Sequence, residues 1–137
     1  MSDELIKKRT RNALREYLVD FYVLRTIHDL FDSVLIDIDY DFVPNVSGER
    51  RTLIEQYYST LDFTAWDDVE KLVRVFESVI LESIERSDDD LSKIIRYLEN
   101  DGFKFENNKL LPETKHLTAF QLASEVVQSF DAPHMMN

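Results

Sequence analysis

Between Thr64 and Ile84 the residues Val69, Leu72, Val73, Phe76, Val79, Ile80 and Ile84 recur three and four positions apart. So broad an apolar stripe marks a helix that must bury most of its surface, and it predicts the central helix of a domain. Thr64 reads as its start, with Asp67 three residues on as an aspartate form of the capping box and Phe63 placed to staple onto the next turn. Other helices have to be built around this one. With only two glycines and three prolines in 137 residues, tight turns are scarce and short polar connections between helices are expected. The chain is therefore expected to be mainly α, a compact multi-helix domain spanning 1–137, with a small β-hairpin near its C-terminal third.

The remaining elements follow from similar patterns. From Asp3 to about Leu35 the positions Leu14, Tyr17, Leu18, Phe21, Leu24, Phe31 and Leu35 form a helical stripe, with Ser2 as a cap. Its length leaves room for a break near Arg25 to Asp29. Val34, Ile36, Ile38, Tyr40 and Phe42 then alternate, which suggests an extended segment or short strand ended by Pro44. Ser47 is positioned to cap a helix reaching about Thr60, with Leu53, Tyr57 and Leu61 on one face. Ser87 and Asp90 repeat the capping pattern ahead of Leu91, Ile94, Ile95 and Leu98, and Gly102 suits the left-handed position after that helix. Phe103 to Leu111, turning at Asn107 and Asn108, reads as the hairpin. A last helix is expected over Thr118 to about Phe130, before a frayed tail.

Charge and composition narrow the function. Sixteen basic and 27 acidic residues give a net charge of −11, which opposes general affinity for duplex DNA or anionic lipid. The absence of cysteine rules out disulfides and thiolate metal sites, and a reducing, cytoplasmic setting is the simpler expectation. Charges interrupt the N-terminal segment where a signal peptide would need an apolar run, and no apolar stretch is long enough to span a membrane.

Motifs that carry chemistry are missing. No nucleophile elbow or glycine-rich phosphate loop occurs. His28, His116 and His134 lie at no metal-binding spacing, although His28 has Asp29 and Asp32 close by. Asp37, Asp39 and Asp41 would share one face of a strand, a donor set of the kind that holds Mg²⁺ or Ca²⁺, but the glycine and terminal glutamate of a calcium loop are absent. A solvated face or a docking rail for a basic partner is the preferred reading. No catalytic residue, metal centre or cofactor is assigned. Arg50 and Arg51, near a helix start and not far from Trp66, are the other candidate partner-binding residues, because arginine and tryptophan often anchor interfaces. The ordinary alternatives are ion pairing for the arginines and core packing for Tyr57, Tyr58, Phe63 and Trp66.

The block Ser47-Gly-Glu-Arg-Arg-Thr-Leu with Gln56-Tyr-Tyr-Ser-Thr-Leu-Asp resembles an N-terminal domain of bacterial AbiJ-type abortive-infection proteins. The run from Trp66 to Glu77 and the segment Leu98-Glu-Asn-Asp-Gly-Phe are similar too, so the resemblance covers roughly Arg11 to Leu111. It implies a sensing or regulatory module that precedes an effector, often a HEPN-type RNase, in phage-defence proteins. None of the three histidines has an arginine upstream at the spacing of the HEPN nuclease motif, so no catalytic residue carries over. The expected function is a non-catalytic interaction module of a phage-defence system, acting on a protein partner or fused effector. A free-standing acidic antitoxin or nucleic-acid mimic is the alternative, and a small hydrolase using Asp37 to Asp41 is a third. A mimic needs carboxylates spread over an exposed face, whereas a docking module needs a mixed or apolar patch.

Overall fold

The computed structural model describes residues 3–84 and 89–113, which form five helices and one hairpin. These are α1 (Lys8–Phe21), α2 (Leu24–Asp32), α3 (Glu49–Tyr58), α4 (Trp66–Ser83), α5 (Asp89–Asn100), β1 (Phe103–Glu106) and β2 (Lys109–Pro112). The architecture is the mainly helical domain with a C-terminal hairpin that the sequence predicts. The helix expected over Thr118 to Phe130, and the caps assigned to Ser2 and Ser87, lie outside the described residues.

Helix α4 is the axis of the domain. Val69, Leu72, Val73, Val75, Phe76, Val79 and Ile80 are all buried, as are its polar residues Glu77 and Ser83. Their environment includes Leu14, Tyr17 and Leu18 of α1, Ile27, Leu30 and Phe31 of α2, Leu53, Ile54, Tyr57 and Tyr58 of α3, and Leu91, Ile94 and Leu98 of α5, in one continuous core.

Its start differs from the expected capping box. The N-cap is Ala65, and no side chain caps it. Thr64 is engaged upstream instead: Asp62 Oδ1 accepts from the Thr64 backbone N–H at 2.9 Å and from its hydroxyl at 2.6 Å. Asp68, in the first turn, reaches back past the cap to accept from the Asp62 N–H at 2.8 Å. The acidic first turn still meets the positive end of the helix dipole.

The long N-terminal stripe divides into two helices. The break falls at Tyr22 and Val23, ahead of the expected interval, where the chain turns extended. Residues 3–6 are not helical either. Leu5 N–H bonds to the Phe63 carbonyl at 2.8 Å, and Ile6 is fully buried. Asp101 supplies α1 with a cap from 91 positions beyond Thr10: its carboxylate accepts from the Lys7 N–H and the Thr10 hydroxyl. Two of the N-terminal basic residues are likewise structural. Arg11 is buried, donating to the Ile6 carbonyl at 2.7 Å and lying 3.8 Å over the Phe63 ring. Arg15 bonds Glu55 at 2.6 Å and Glu16 at 2.8 Å.

Helix α5 ends as expected, with Gly102 at φ 99°. In the hairpin Phe103 faces Pro112 and Phe105 faces Leu110, while Asn107 (φ 55°) and Asn108 (φ 63°) make the left-handed turn that a two-residue loop requires. Phe103 and Leu110 point into the core and Lys104, Glu106 and Lys109 away from it. The outer edge of β2 is closed by α4: Glu77 accepts from the Leu110 N–H at 2.7 Å, and Arg74 donates to the Leu110 carbonyl at 3.1 Å. Side chains thus satisfy an edge that could otherwise pair with a foreign strand.

Two substitutions test this account. Phe76→Ala should lower stability by about 3–5 kcal/mol, because it opens a cavity at a fully enclosed position. Asp101→Ala leaves the Lys7 N–H and the Thr10 hydroxyl without their acceptor and should cost about 1–3 kcal/mol. Thermal and urea unfolding measure both, and an unchanged midpoint in either would refute the corresponding contact.

Candidate interaction surface

The residues singled out from the sequence fall into separate environments. Arg51 is held in a two-pronged ion pair with Glu16 of α1, with contacts of 2.7 and 3.0 Å. Glu16 also accepts from Arg15, which continues to Glu55, so the network ties α1 to α3. Hydrogen bonding from Arg51, opposed by partial desolvation and helped by Arg15, holds the Glu16 carboxyl below the usual glutamate range. Arg50 is exposed and donates to the Tyr22 carbonyl at 3.2 Å, just where α1 gives way to α2. The expected cap of α3 is displaced by one residue: Gly48, at φ 95°, takes the place assigned to Ser47. Trp66 is half-buried and stacked on Phe103, with ring centroids 6.3 Å apart. It wedges the start of α4 against the hairpin.

The segment holding Asp37, Asp39 and Asp41 is not a strand. Its backbone groups find partners in α3 and the turn after it. Asp39 N–H bonds to the Gln56 carbonyl at 3.2 Å, the Gln56 side-chain amide donates to the carbonyls of Tyr40 and Phe42, and the Thr60 hydroxyl donates to the Asp37 carbonyl at 2.9 Å. A helix end has free carbonyls and can hold an extended chain without a second strand. Asp39 Oδ1 also accepts from the Asp41 N–H, which closes a local turn.

The start of the segment is equally fixed. Helix α2 ends in a pair of bonds, Ile36 N–H to the Phe31 carbonyl and Leu35 N–H to the Asp32 carbonyl. This is the Schellman pattern, and it places Leu35 at φ 64°, where glycine is usual. Ile36 is buried next to the end of α2, whereas the Leu35 side chain is 77% exposed. Farther along, Tyr40 is 67% and Val43 is 88% exposed. The sequence alternation marks Val34, Ile36 and Ile38 as partly or fully buried, but it fails for Tyr40 and Phe42, which are on the surface. Asp37, Asp39 and Asp41 are exposed among them and make no ion pair among the described residues.

A shallow groove of about 500 Å³ adjoins this segment between α2 and α3, lined by Leu24, His28, Glu49, Leu53 and Gln56 among others. Gln56 belongs to both features, because its amide holds the 40–42 backbone. His28 does not contact Asp32 directly. The Tyr57 hydroxyl stands between them, 2.8 Å from His28 Nδ1 and donating to Asp32 at 2.7 Å. With the phenol proton given to Asp32, His28 Nδ1 is the donor to the phenol oxygen. Burial and this acceptor push the Tyr57 phenol well above its ordinary pKa. The relay fastens α2 to α3. Among the described residues no three His, Asp or Glu side chains gather into a cation site. No helix among them is long and apolar enough to cross a membrane.

Sequence reasoning found the three aspartates and missed Leu35, Tyr40, Phe42 and Val43 as surface residues. For Tyr40 and Phe42 the available signal was the alternation itself, which continues past the point where a core can receive it; Leu35 belongs by spacing to the helical stripe, and Val43 to neither pattern. Comparison with known proteins finds no match among family models, curated proteins or solved structures.

The Glu16–Arg51 pair gives a pH test. A carboxyl with a lowered native pKa adds stability above its unfolded value of about 4.3, and loses it as pH falls through the native value. Glu16→Gln should therefore melt below wild type at neutral pH, and the gap should close in acid below about pH 4. A gap that widens in acid would contradict the pairing.

Proposed function

We propose that this chain is a non-catalytic interaction module of a bacterial abortive-infection system, working in the cytoplasm on a protein partner or a fused effector domain. The observation that supports docking is the fixed 35–43 segment. It exposes Leu35, Tyr40 and Val43 although its backbone is pinned to α2 and α3. Exposed apolar residues on an ordered segment offer contact area with little ordering entropy to lose on binding. Their mixture with Asp37, Asp39 and Asp41 favours docking over imitation of nucleic acid, which would call for carboxylates without intervening apolar groups. The phage-defence setting rests on the resemblance of the Ser47 to Asp62 block to AbiJ-type domains.

Arg50 is still available at the rim of the neighbouring groove, while Arg51 and Trp66 have structural partners that reduce their value as anchors. The 35–43 face is therefore the main contact surface in this reading.

Phage plating tests it, with the gene in its native context. Tyr40→Ser/Val43→Ser should restore plaque formation while circular dichroism and melting show a folded protein. Protection equal to wild type would discard the face, and a wild-type gene that never alters plating would discard the defence setting. The purified chain should turn over neither RNA nor nucleotides with Mg²⁺ present. Reproducible turnover lost in Asp39→Asn or His28→Ala would make it an enzyme.

A further inference from the structure

The stretch between Arg25 and Arg50 contains no lysine or arginine, but it holds Asp29, Asp32, Asp37, Asp39, Asp41 and Glu49. The fold brings this stretch back on itself: the 35–43 segment is fastened to the end of α2 and to α3, and Gln56, which holds its backbone, also lines the groove between those helices. Arg50 and Arg51 border the groove at the start of α3, but along the 35–43 segment the cation that arrives is Lys71, whose ammonium is 3.3 Å from the Leu35 carbonyl rather than on a carboxylate. The 35–43 segment thus carries three exposed carboxylates without an ion pair among the described residues, interspersed with the exposed apolar side chains of Leu35, Tyr40 and Val43.

We infer that this segment docks a cationic amphipathic stretch of a protein, one that presents lysine or arginine to the aspartates and aliphatic or aromatic side chains to Leu35, Tyr40 and Val43. This names the partner chemistry of the interaction module proposed above and rests on that reading. Charge complementarity selects the occupant. Nucleic acid and anionic lipid are repelled by Asp37, Asp39 and Asp41, and a second copy bound through the same segment would set those carboxylates against their equivalents. A purely cationic chain would leave Leu35, Tyr40 and Val43 in water.

Leu35 adds an independent indication. A leucine at φ 64° pays a conformational cost that glycine would avoid, and its exposed side chain returns nothing to the core. Contact with a partner gives that side chain a use.

The test is fluorescence anisotropy on the full chain with a labelled peptide of alternating lysine and leucine. Two control peptides accompany it, one alternating lysine and serine, the other glutamate and leucine. The lysine–leucine peptide should bind, and added salt should weaken it. Asp37→Asn/Asp39→Asn/Asp41→Asn keeps the acceptor for the Asp41 N–H and should weaken binding roughly tenfold, as should Tyr40→Ser/Val43→Ser. Leu35→Gly is the decisive variant, because it should melt no lower than wild type and still bind less tightly. Binding of the lysine–serine peptide as strong as the lysine–leucine one would overturn the inference, as would affinity unchanged across the three variants. If those variants abolish phage protection yet bind the peptide like wild type, the face is functional and its occupant is not cationic. If they lose the peptide and still protect, the partner chemistry is supported and the defence role is what fails.

Discussion

Helix α4 can leave only its polar stripe, with Asp67, Glu70 and Glu82, in water without loss. Its apolar residues occur around most of its circumference, and Val69, Leu72, Val73, Val75, Phe76, Val79 and Ile80 are all within the core. A helix of this kind has no stable existence as a surface element, because each side chain left in water forfeits on the order of 1.5–3 kcal/mol of burial. The other elements are arranged by the need to enclose it. Helices α1, α2, α3 and α5 and the hairpin contribute their apolar residues to the single core built around it.

Enclosure by apolar contact is non-directional, so polar contacts must fix how the surrounding parts are set. Several of them join distant parts of the chain. Asp101 caps α1 from the end of α5, Glu77 and Arg74 hold the free edge of β2, Tyr58 donates its hydroxyl to the Arg11 carbonyl, and Tyr57 bridges His28 and Asp32. Each places a polar group in or beside the core together with its partner. Buried polar groups are costly when unpaired, so wrong arrangements of the helices would be penalised as well as the right one favoured.

The pattern of residues made some of this legible. Periodicity located α3, α4 and α5 well, and Gly102 and the paired asparagines located the helix end and the hairpin turn, because glycine and asparagine tolerate positive φ and few other residues do. The caps were less legible. Serine and threonine were assigned to local capping, whereas α1, α3 and α4 use a remote carboxylate, a glycine and no side chain at all. Local sequence cannot show that Asp101 will stand next to Lys7. The Glu16 partner of Arg51 was hidden for the same reason: it is 35 positions away and becomes a neighbour only when α1 packs on α3. The candidate surface was half legible. Its charges were plain, but its exposed apolar residues carried the signature of a strand face.

That misreading follows from what the 35–43 segment has to do. Alternation predicts a strand because a strand normally hides every second residue, and here the first part of the segment does hide them, with Ile36 buried and Val34 and Ile38 half-buried. Beyond Ile38 the backbone is still held, now by Gln56, but the described domain leaves Tyr40 and Val43 mostly in water and Phe42 partly so. Fastening and covering are thus separated. A segment that is fastened but uncovered costs solubility, and the interspersed aspartates offset that cost while giving the face its sign. Neither the core nor the hydrogen-bond network requires large apolar residues at 35, 40 and 43, and the fold would be at least as soluble without them. The docking role proposed above would give them a use.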